Sequence, residues 1–380
     1  MNLRVIPTIV ITLCLSTYLP ARAATQGAMQ QLADLGNNSW LLVDAGGVTA
    51  PAGILAYSSA WLETDRHRFC LFGGGHWNYS GNDVWCFDTA AGGWTQLYPP
   101  DAHIDQQDNQ GPYLNFDNHR YPGALFNPAG EPVANARPMS RHTYDQIEYV
   151  PGFGAVVWGG YPWGDGSHGW CMHCKDTWSF DSAQVTWNYL YDGRNPSPDF
   201  DAGVGASAYA THEHVVYATA RSQTWVFDPR DASWSRFNTS GKPPYSIEAS
   251  MEYDPKRKWL YLLGGRYPEN TELWRFDIRR RSWDALKTSG DKPGPQAIWG
   301  PGLTYDSVND VLLVYQSGSL WVFDPATSHW EKPPYNGGPA EKSYVFGRLR
   351  YDAANNGAWL HIYQNKQHQT WFYRYRVAKP

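Results

Sequence analysis

Two short stretches of this chain gather residue types that move protons. Gly73-Gly74-Gly75-His76-Trp77-Asn78-Tyr79-Ser80-Gly81-Asn82-Asp83 sets a histidine directly after a glycine run, and Ser140-Arg141-His142-Thr143-Tyr144-Asp145 sets one two residues before a tyrosine. Histidine is the side chain whose ordinary pKa lies nearest neutrality, so His76 and His142 are candidate general bases, and the Tyr144 phenol is a candidate general acid. Arg221 and Arg266 carry the fixed positive charge that offsets an anionic reactant. Tyr57, Tyr79, Asn82, Arg141 and Tyr161 supply aromatic faces and hydrogen-bonding groups that could hold a polar ligand beside them. The same residues have plainer uses. His76 can cap its own glycine turn against Asn82 or Tyr79, His142 can be satisfied within an inner strand, and the two arginines can pair with Glu248 or Glu252.

What positions these residues is a repeat. The segments LFGGGHWNYSGNDVWCFDTAAGGW, VVWGGYPWGDGSHGWCMHCKDTWSFDSAQVTW, VVYATARSQTWVFDPRDASW, LYLLGGRYPENTELWRFDIRRRSW and LLVYQSGSLWVFDPATSHW share one order: an apolar run, a Gly pair or its relic, a loop, Trp-x-Phe-Asp, and a further Trp. A sixth copy, LHIYQNKQHQTWFYRYRV, lacks the second Trp. The Trp of the Trp-x-Phe run falls at Trp85, Trp178, Trp225, Trp274, Trp321 and Trp371, in steps of 93, 47, 49, 47 and 50 residues. Apolar runs of four to six residues between turn signals read as strands, and self-similarity at this period marks a blade array. The composition agrees: 36 Gly and 27 Pro favour turns over helices, and 20 Trp and 25 Tyr suit rings stacked between blades. Counting second-Trp positions from Trp40 gives six blades, with Ser39-Trp40-Leu41-Leu42-Val43 as the orphan strand that completes the last blade and closes the ring. The long first step is filled by a polar stretch at about 99–138, read as an inserted loop rather than a seventh blade.

Aligning the copies places Tyr57, His142, Ala202, Ser246, Ile298 and Tyr344 at one position on the innermost strands. His76, Tyr161, Arg221, Arg266 and Gly318 then fall just after the Gly pair. Both sets face the mouth of the central channel, where loops carry function.

Residues 1–23 read as a signal peptide, with Arg4 before the apolar stretch and Ala21-Arg22-Ala23 as a small-x-small cleavage site. Residues 24–38 form a lead, and 39–380 one propeller domain. The formal charge of −5, from 31 basic and 36 acidic residues, argues against a nucleic-acid binder. No later stretch is apolar enough to span a bilayer, and the product is expected to be an exported, periplasmic or secreted monomer. In an oxidising compartment Cys70, Cys86, Cys171 and Cys174 are expected to pair. Cys70 and Cys86 sit on neighbouring strand-like runs with opposed registers, which favours Cys70–Cys86 and leaves Cys171–Cys174. His168 to Cys174, HGWCMHC, could instead hold a structural metal. No catalytic metal and no cofactor are expected, since GxSxG, P-loop and dinucleotide fingerprints are absent.

A period near 50 with Gly-Gly and a spaced Trp resembles the kelch repeat, over roughly residues 39–378. The form GGGHxxYxGN is similar to exported bacterial kelch proteins, including propeller polysaccharide lyases of the ulvan type. That resemblance implies an all-β propeller and β-elimination on a uronate polysaccharide. It matches His76 to the base and Tyr144 to the acid. This chain departs from it at Tyr57, where the lyases carry a second channel histidine, and near Tyr161, where they carry an arginine. His142, Arg221 and Arg266 could fill those roles from other blades. Two other classes stay open: a non-catalytic propeller binding carbohydrate or protein, and a periplasmic sugar epimerase.

Overall fold

The computed structural model describes residues 27–75, 78–79, 81–100, 137–162, 176–191, 205–245, 247–266, 269–295, 299–340 and 344–377, without the side chains of Pro162, Tyr191 and Arg266. Residues 1–26, on which the expected signal peptide falls, and His76, Cys171, Cys174 and residues 101–136 lie outside these residues. The chain is all-β and forms a six-bladed propeller.

Each blade is an antiparallel four-stranded sheet. Blade 1 comprises Ala60–Glu63, Arg68–Leu71, Val84–Asp88 and Trp94–Tyr98, and blade 2 comprises Ile147–Val150, Gly154–Trp158, Thr177–Asp181 and Thr186–Tyr191. Blade 3 is Ala206–Ala210, Val215–Ala220, Gln223–Asp228 and Ser233–Phe237; blade 4 is Ile247–Asp254, Trp259–Arg266, Leu273–Asp277 and Ser282–Ala285. Blade 5 is Gly302–Asp306, Val311–Gln316, Ser319–Asp324 and His329–Glu331, with Ser289–Gly290 added in parallel at its rim. Blade 6 takes Leu349–Asp352, Gly357–Gln364 and Gln367–Arg374 from the end of the chain and Ser39–Ala45 from its beginning. The orphan strand thus pairs where the repeat count requires it. Among the described residues no helix is long and apolar enough to cross a membrane.

The Trp-x-Phe-Asp run has a separate physical reason at each position. The Phe is fully buried in blades 1 to 5 (Phe87, Phe180, Phe227, Phe276, Phe323). The Asp accepts backbone N–H groups in the hairpin to the outer strand: Asp88 from Ala90 at 2.9 Å, Asp181 from Ala183 at 2.8 Å, Asp228 from Arg230 at 2.9 Å, Asp277 from Arg279 at 3.0 Å and Asp324 from Ala326 at 2.8 Å. A carboxylate two residues before the donor is the local bond that specifies such a turn. In the sixth copy Arg374 stands in the Asp position, and there the next strand comes from the other end of the chain, so no hairpin follows.

The outer Trp ties neighbouring blades. Trp234, Trp283 and Trp94 donate their indole N–H to Thr177, Thr224 and Thr370 at 2.9, 2.8 and 2.8 Å, in each case the residue before the Trp of the preceding blade's third strand. Where that position is Val84 or Leu320, the matching indole nitrogens of Trp187 and Trp40 are buried without a partner among the described residues. In blade 1 the strands pair Cys70 with Cys86 and carry the expected disulfide between them.

Candidate functional site

In five of the six blades one residue at the start of the innermost strand lies in the left-handed region: Tyr57 (φ 49°), Tyr144 (φ 46°), Glu248 (φ 67°), Gly300 (φ 56°) and Phe346 (φ 48°). Four of these are not glycine, a conformation that costs roughly 1–2 kcal/mol each and persists only where the surroundings enforce it. Here successive turns are linked blade to blade. Tyr144 N–H donates to Tyr57 O at 2.7 Å, Gly300 N–H to Glu248 O at 3.0 Å, and Phe346 N–H to Gly300 O at 2.8 Å.

This geometry corrects the alignment in blade 1. Tyr57 corresponds to Tyr144 and Phe346, not to His142 and Tyr344; blade 1 is two residues out of step with the alignment by sequence. The result is a closely packed aromatic cluster at the channel mouth. The Tyr57 ring stacks on His142 at 4.5 Å and lies near-parallel to Tyr344 at 6.4 Å, and Tyr144, Tyr161 and Phe346 surround them at 5.4–6.1 Å. Tyr344 is exposed, Tyr57 and Tyr161 are half-buried, and His142 and Tyr144 are buried. His142 Nε2 lies 3.1 Å from Asn78 Nδ2, in the loop that follows His76.

Behind this cluster sits Arg348, fully enclosed and bonded to carbonyls alone among the described residues. It donates to Leu55 O at 2.8 Å and to Ser58 O, on either side of Tyr57, to Tyr344 O at 2.6 Å and to His361 O at 3.1 Å. Burial without a carboxylate holds its pKa down at about 9.

The other expected residues are placed as follows. Arg141 is buried in a bidentate pair with Asp176 at 2.6 and 3.0 Å, so its guanidinium is committed inside the protein. Tyr79 donates to Asp83 at 2.8 Å and Asn82 to Pro138 O at 3.2 Å, both buried. Arg221 is exposed in the two-residue turn Arg221-Ser222, both with φ near 50°, that joins strands two and three of blade 3. The Arg266 backbone pairs with Ile247 at the start of blade 4's inner strand. Of the candidate catalytic residues, the structure brings together His142 and Tyr144; His76 and the Arg266 side chain lie outside the described residues.

A second constellation lies deeper in the channel. Arg350 is buried and donates to Asp145 at 3.3 Å, with Glu148 3.6 Å away, while Glu252 accepts from the Tyr253 N–H at 2.8 Å and from Thr304. Burial raises all three acids: Asp145 to about 6, Glu252 to about 7, and Glu148 well above its ordinary value. Burial works against the Arg350 charge, but these carboxylates keep its pKa raised. A cavity of 240 Å³ opens here, lined by residues of all six inner strands. Its walls carry Tyr149, Tyr209, Tyr253, Tyr305 and Tyr351, each five residues after the left-handed position or its equivalent. Sequence reading missed this group, although the recurrence of Tyr before a turn at the end of five inner strands was there to be seen.

The only close trio of Cys, His, Asp or Glu ligand atoms among the described residues is Glu63, Cys70 and Cys86, and both cysteines are spent in the disulfide. No protein-family model and no curated protein matches this chain.

Proposed function

We propose that the channel mouth binds an acidic carbohydrate, and that the protein is an exported kelch-type propeller acting outside the cytoplasm. The observation that carries this reading is the aromatic cluster of Tyr344, Tyr57 and His142 with Tyr161 beside it, the kind of surface on which sugar rings stack. Arg348 directly behind Tyr57, with carbonyl partners only, adds positive potential and favours a uronate over a neutral sugar. The Cys70–Cys86 disulfide supports an oxidising compartment.

Within that reading, β-elimination is the reaction the residues suit. A base removes the proton at C5, the C4–O bond breaks as the double bond forms, and an acid protonates the departing oxygen. His142 is cast as base and Tyr144 as acid, with His76, Arg221 and Arg266 as further candidates from the loops around the mouth. Purified protein incubated with a panel of uronate polysaccharides is expected to generate the ultraviolet absorbance of an unsaturated uronate, and Tyr144→Phe to lose it. No absorbance on any polymer would refute the lyase reading.

One observation favours non-catalytic binding instead: the close Asn78–His142 contact occupies the ring nitrogen a base would use. In that case Tyr344→Ala weakens oligosaccharide binding about tenfold, by loss of one stacking face, while no product forms. Unchanged binding in Tyr344→Ala would remove the mouth as the site.

A further inference from the structure

The deep cavity is a separate place from the mouth, built from different residues, and its polar groups are unevenly satisfied. Asp145 and Glu148 share one guanidinium. Glu252 faces the void partly accessible, holding only the Tyr253 N–H and Thr304. Arg350 is itself more than nine-tenths buried. Its Nε donates to Ala60 O at 2.9 Å and its Nη2 to Ser59 Oγ, Asp145 and Ile147 O at 3.2–3.3 Å. Nη1 donates to no acceptor among the described residues, and Arg350 lines the cavity. This nitrogen is therefore available to an acceptor that enters the cavity.

The complementary ligand follows from the charges. Three carboxyls meet one guanidinium, and burial already resists the ionisation of Glu148 and Glu252, so a further anion is disfavoured in this poorly screened site, whereas a cation beside Glu252 favours its ionised form. A lone metal ion fits badly, because the oxygens of these three acids do not converge to within 4.8 Å of one another. The tyrosine walls suit an organic ammonium group. At 240 Å³ the space admits only a small molecule. We infer that the deep channel binds a small hydroxylated amine, its ammonium on Glu252 and a hydroxyl oxygen accepting from Arg350 Nη1. An amino alcohol or the amino end of an amino sugar has this chemistry.

The test uses three near-isosteres on the full protein: 2-amino-1,3-propanediol, glycerol, which replaces the ammonium by a hydroxyl, and isopropylamine, which lacks the hydroxyls. Titration calorimetry and thermal shift are expected to show millimolar binding of the amino diol, about tenfold tighter than either control. Glu252→Gln is expected to reduce amino-diol affinity to that of glycerol. Equal binding of isopropylamine would overturn the role of Arg350, and equal binding of glycerol the role of the acids. No binding of the amino diol would overturn the site altogether. These outcomes are read on the wild-type protein and stand whether or not the variant folds. They are also independent of any polysaccharide result at the mouth.

Discussion

Two buried polar groups of this propeller make an instructive pair: the acids of the deep channel and the histidines beside the sixth blade's chain-end strands. His361 and His368 lie stacked, with Trp94 Nε1–H donating to Thr370 Oγ1 at 2.8 Å, Thr370 Oγ1 against His361 Nδ1 at 3.0 Å, His361 Nε2 against His368 Nδ1 at 3.0 Å, and His368 Nε2 against Ala50 O at 2.9 Å. The carbonyl of Ala50 can only accept, so His368 carries its proton on Nε2 and accepts at Nδ1. His361 therefore donates from Nε2 and accepts from Thr370. Every position in this chain is used and both rings are neutral. It ties blade 1, through Trp94, to the last two strands of blade 6. The channel acids differ in kind. They surround a cavity and share one counter-charge, and the Arg350 Nη1 that reaches the cavity makes no bond among the described residues. A saturated network is scaffold; an unsaturated one around a cavity is a candidate for binding.

The largest effect expected is from Arg350→Met. It strands Asp145, Glu148 and Glu252 without a counter-ion, and removing one partner of a buried pair costs about 3–5 kcal/mol. Denaturant unfolding at neutral pH should show that loss, and at pH 5 a smaller one, because acids already raised by burial then take up protons. Equal losses at both pH values would mean that the carboxylates are not what Arg350 neutralises.

The two groups should also answer acid in opposite directions. Burial and the Arg348 charge hold His368 down at about 4 against an ordinary 6.5. The unfolded chain therefore binds this proton first, and the stability this neutral ring contributes, intact above about 6.5, falls as pH drops toward 4. The difference amounts to about 3 kcal/mol at 1.36 kcal/mol per pKa unit. Glu252, raised to about 7 from an ordinary 4.5, works the other way: the folded state gains stability as pH falls through that interval. Urea unfolding between pH 7 and 4 should accordingly show a flatter acid limb in His368→Gln than in wild type, and a steeper one in Glu252→Gln. Parallel limbs in all three proteins would dissolve the contrast.

How far these regions could be read beforehand follows from their physics. The blades were legible because Trp-x-Phe-Asp recurs for local reasons: a buried ring, an indole that staples the next blade and a carboxylate that fixes a turn. The Cys70–Cys86 pairing was legible because antiparallel register keeps a constant index sum. The mouth was half legible. His142 and Tyr144 were picked out, but Tyr57 was set beside His142 rather than Tyr144, because nothing in the residue types marks a left-handed turn occupied by tyrosine. Arg141 appeared to be a ligand contact and is an internal ion pair, since its partner Asp176 lies 35 residues away. The deep channel was not legible as a unit. Asp145, Glu148, Glu252 and Arg350 come from three blades and meet only when the ring is assembled.

The smallest expected effect probes the stapling rule itself. Three blades offer a threonine to the neighbouring Trp, whereas Val84 leaves the Trp187 indole nitrogen, buried in the same packed cluster, without a partner among the described residues. Val84→Thr keeps the shape and replaces a methyl by a hydroxyl at the position where Thr177 and Thr224 accept from Trp234 and Trp283. Burying a hydroxyl without a partner costs about 1–3 kcal/mol, and a hydrogen bond to a previously unsatisfied indole returns about 1 kcal/mol or more. The loss should therefore be smaller, by about 1 kcal/mol or more, than for a valine-to-threonine change with no indole to meet. Val43, equally buried on the outer strand of blade 6, packs in a cluster whose indoles already have acceptors: Trp85 donates to Asp83, Trp94 to Thr370 and Trp359 to Asp352. Val43→Thr should show the full cost. Equilibrium unfolding of the two variants side by side decides it, and equal destabilisation would mean that the Thr–Trp contacts between blades contribute nothing to holding the ring together.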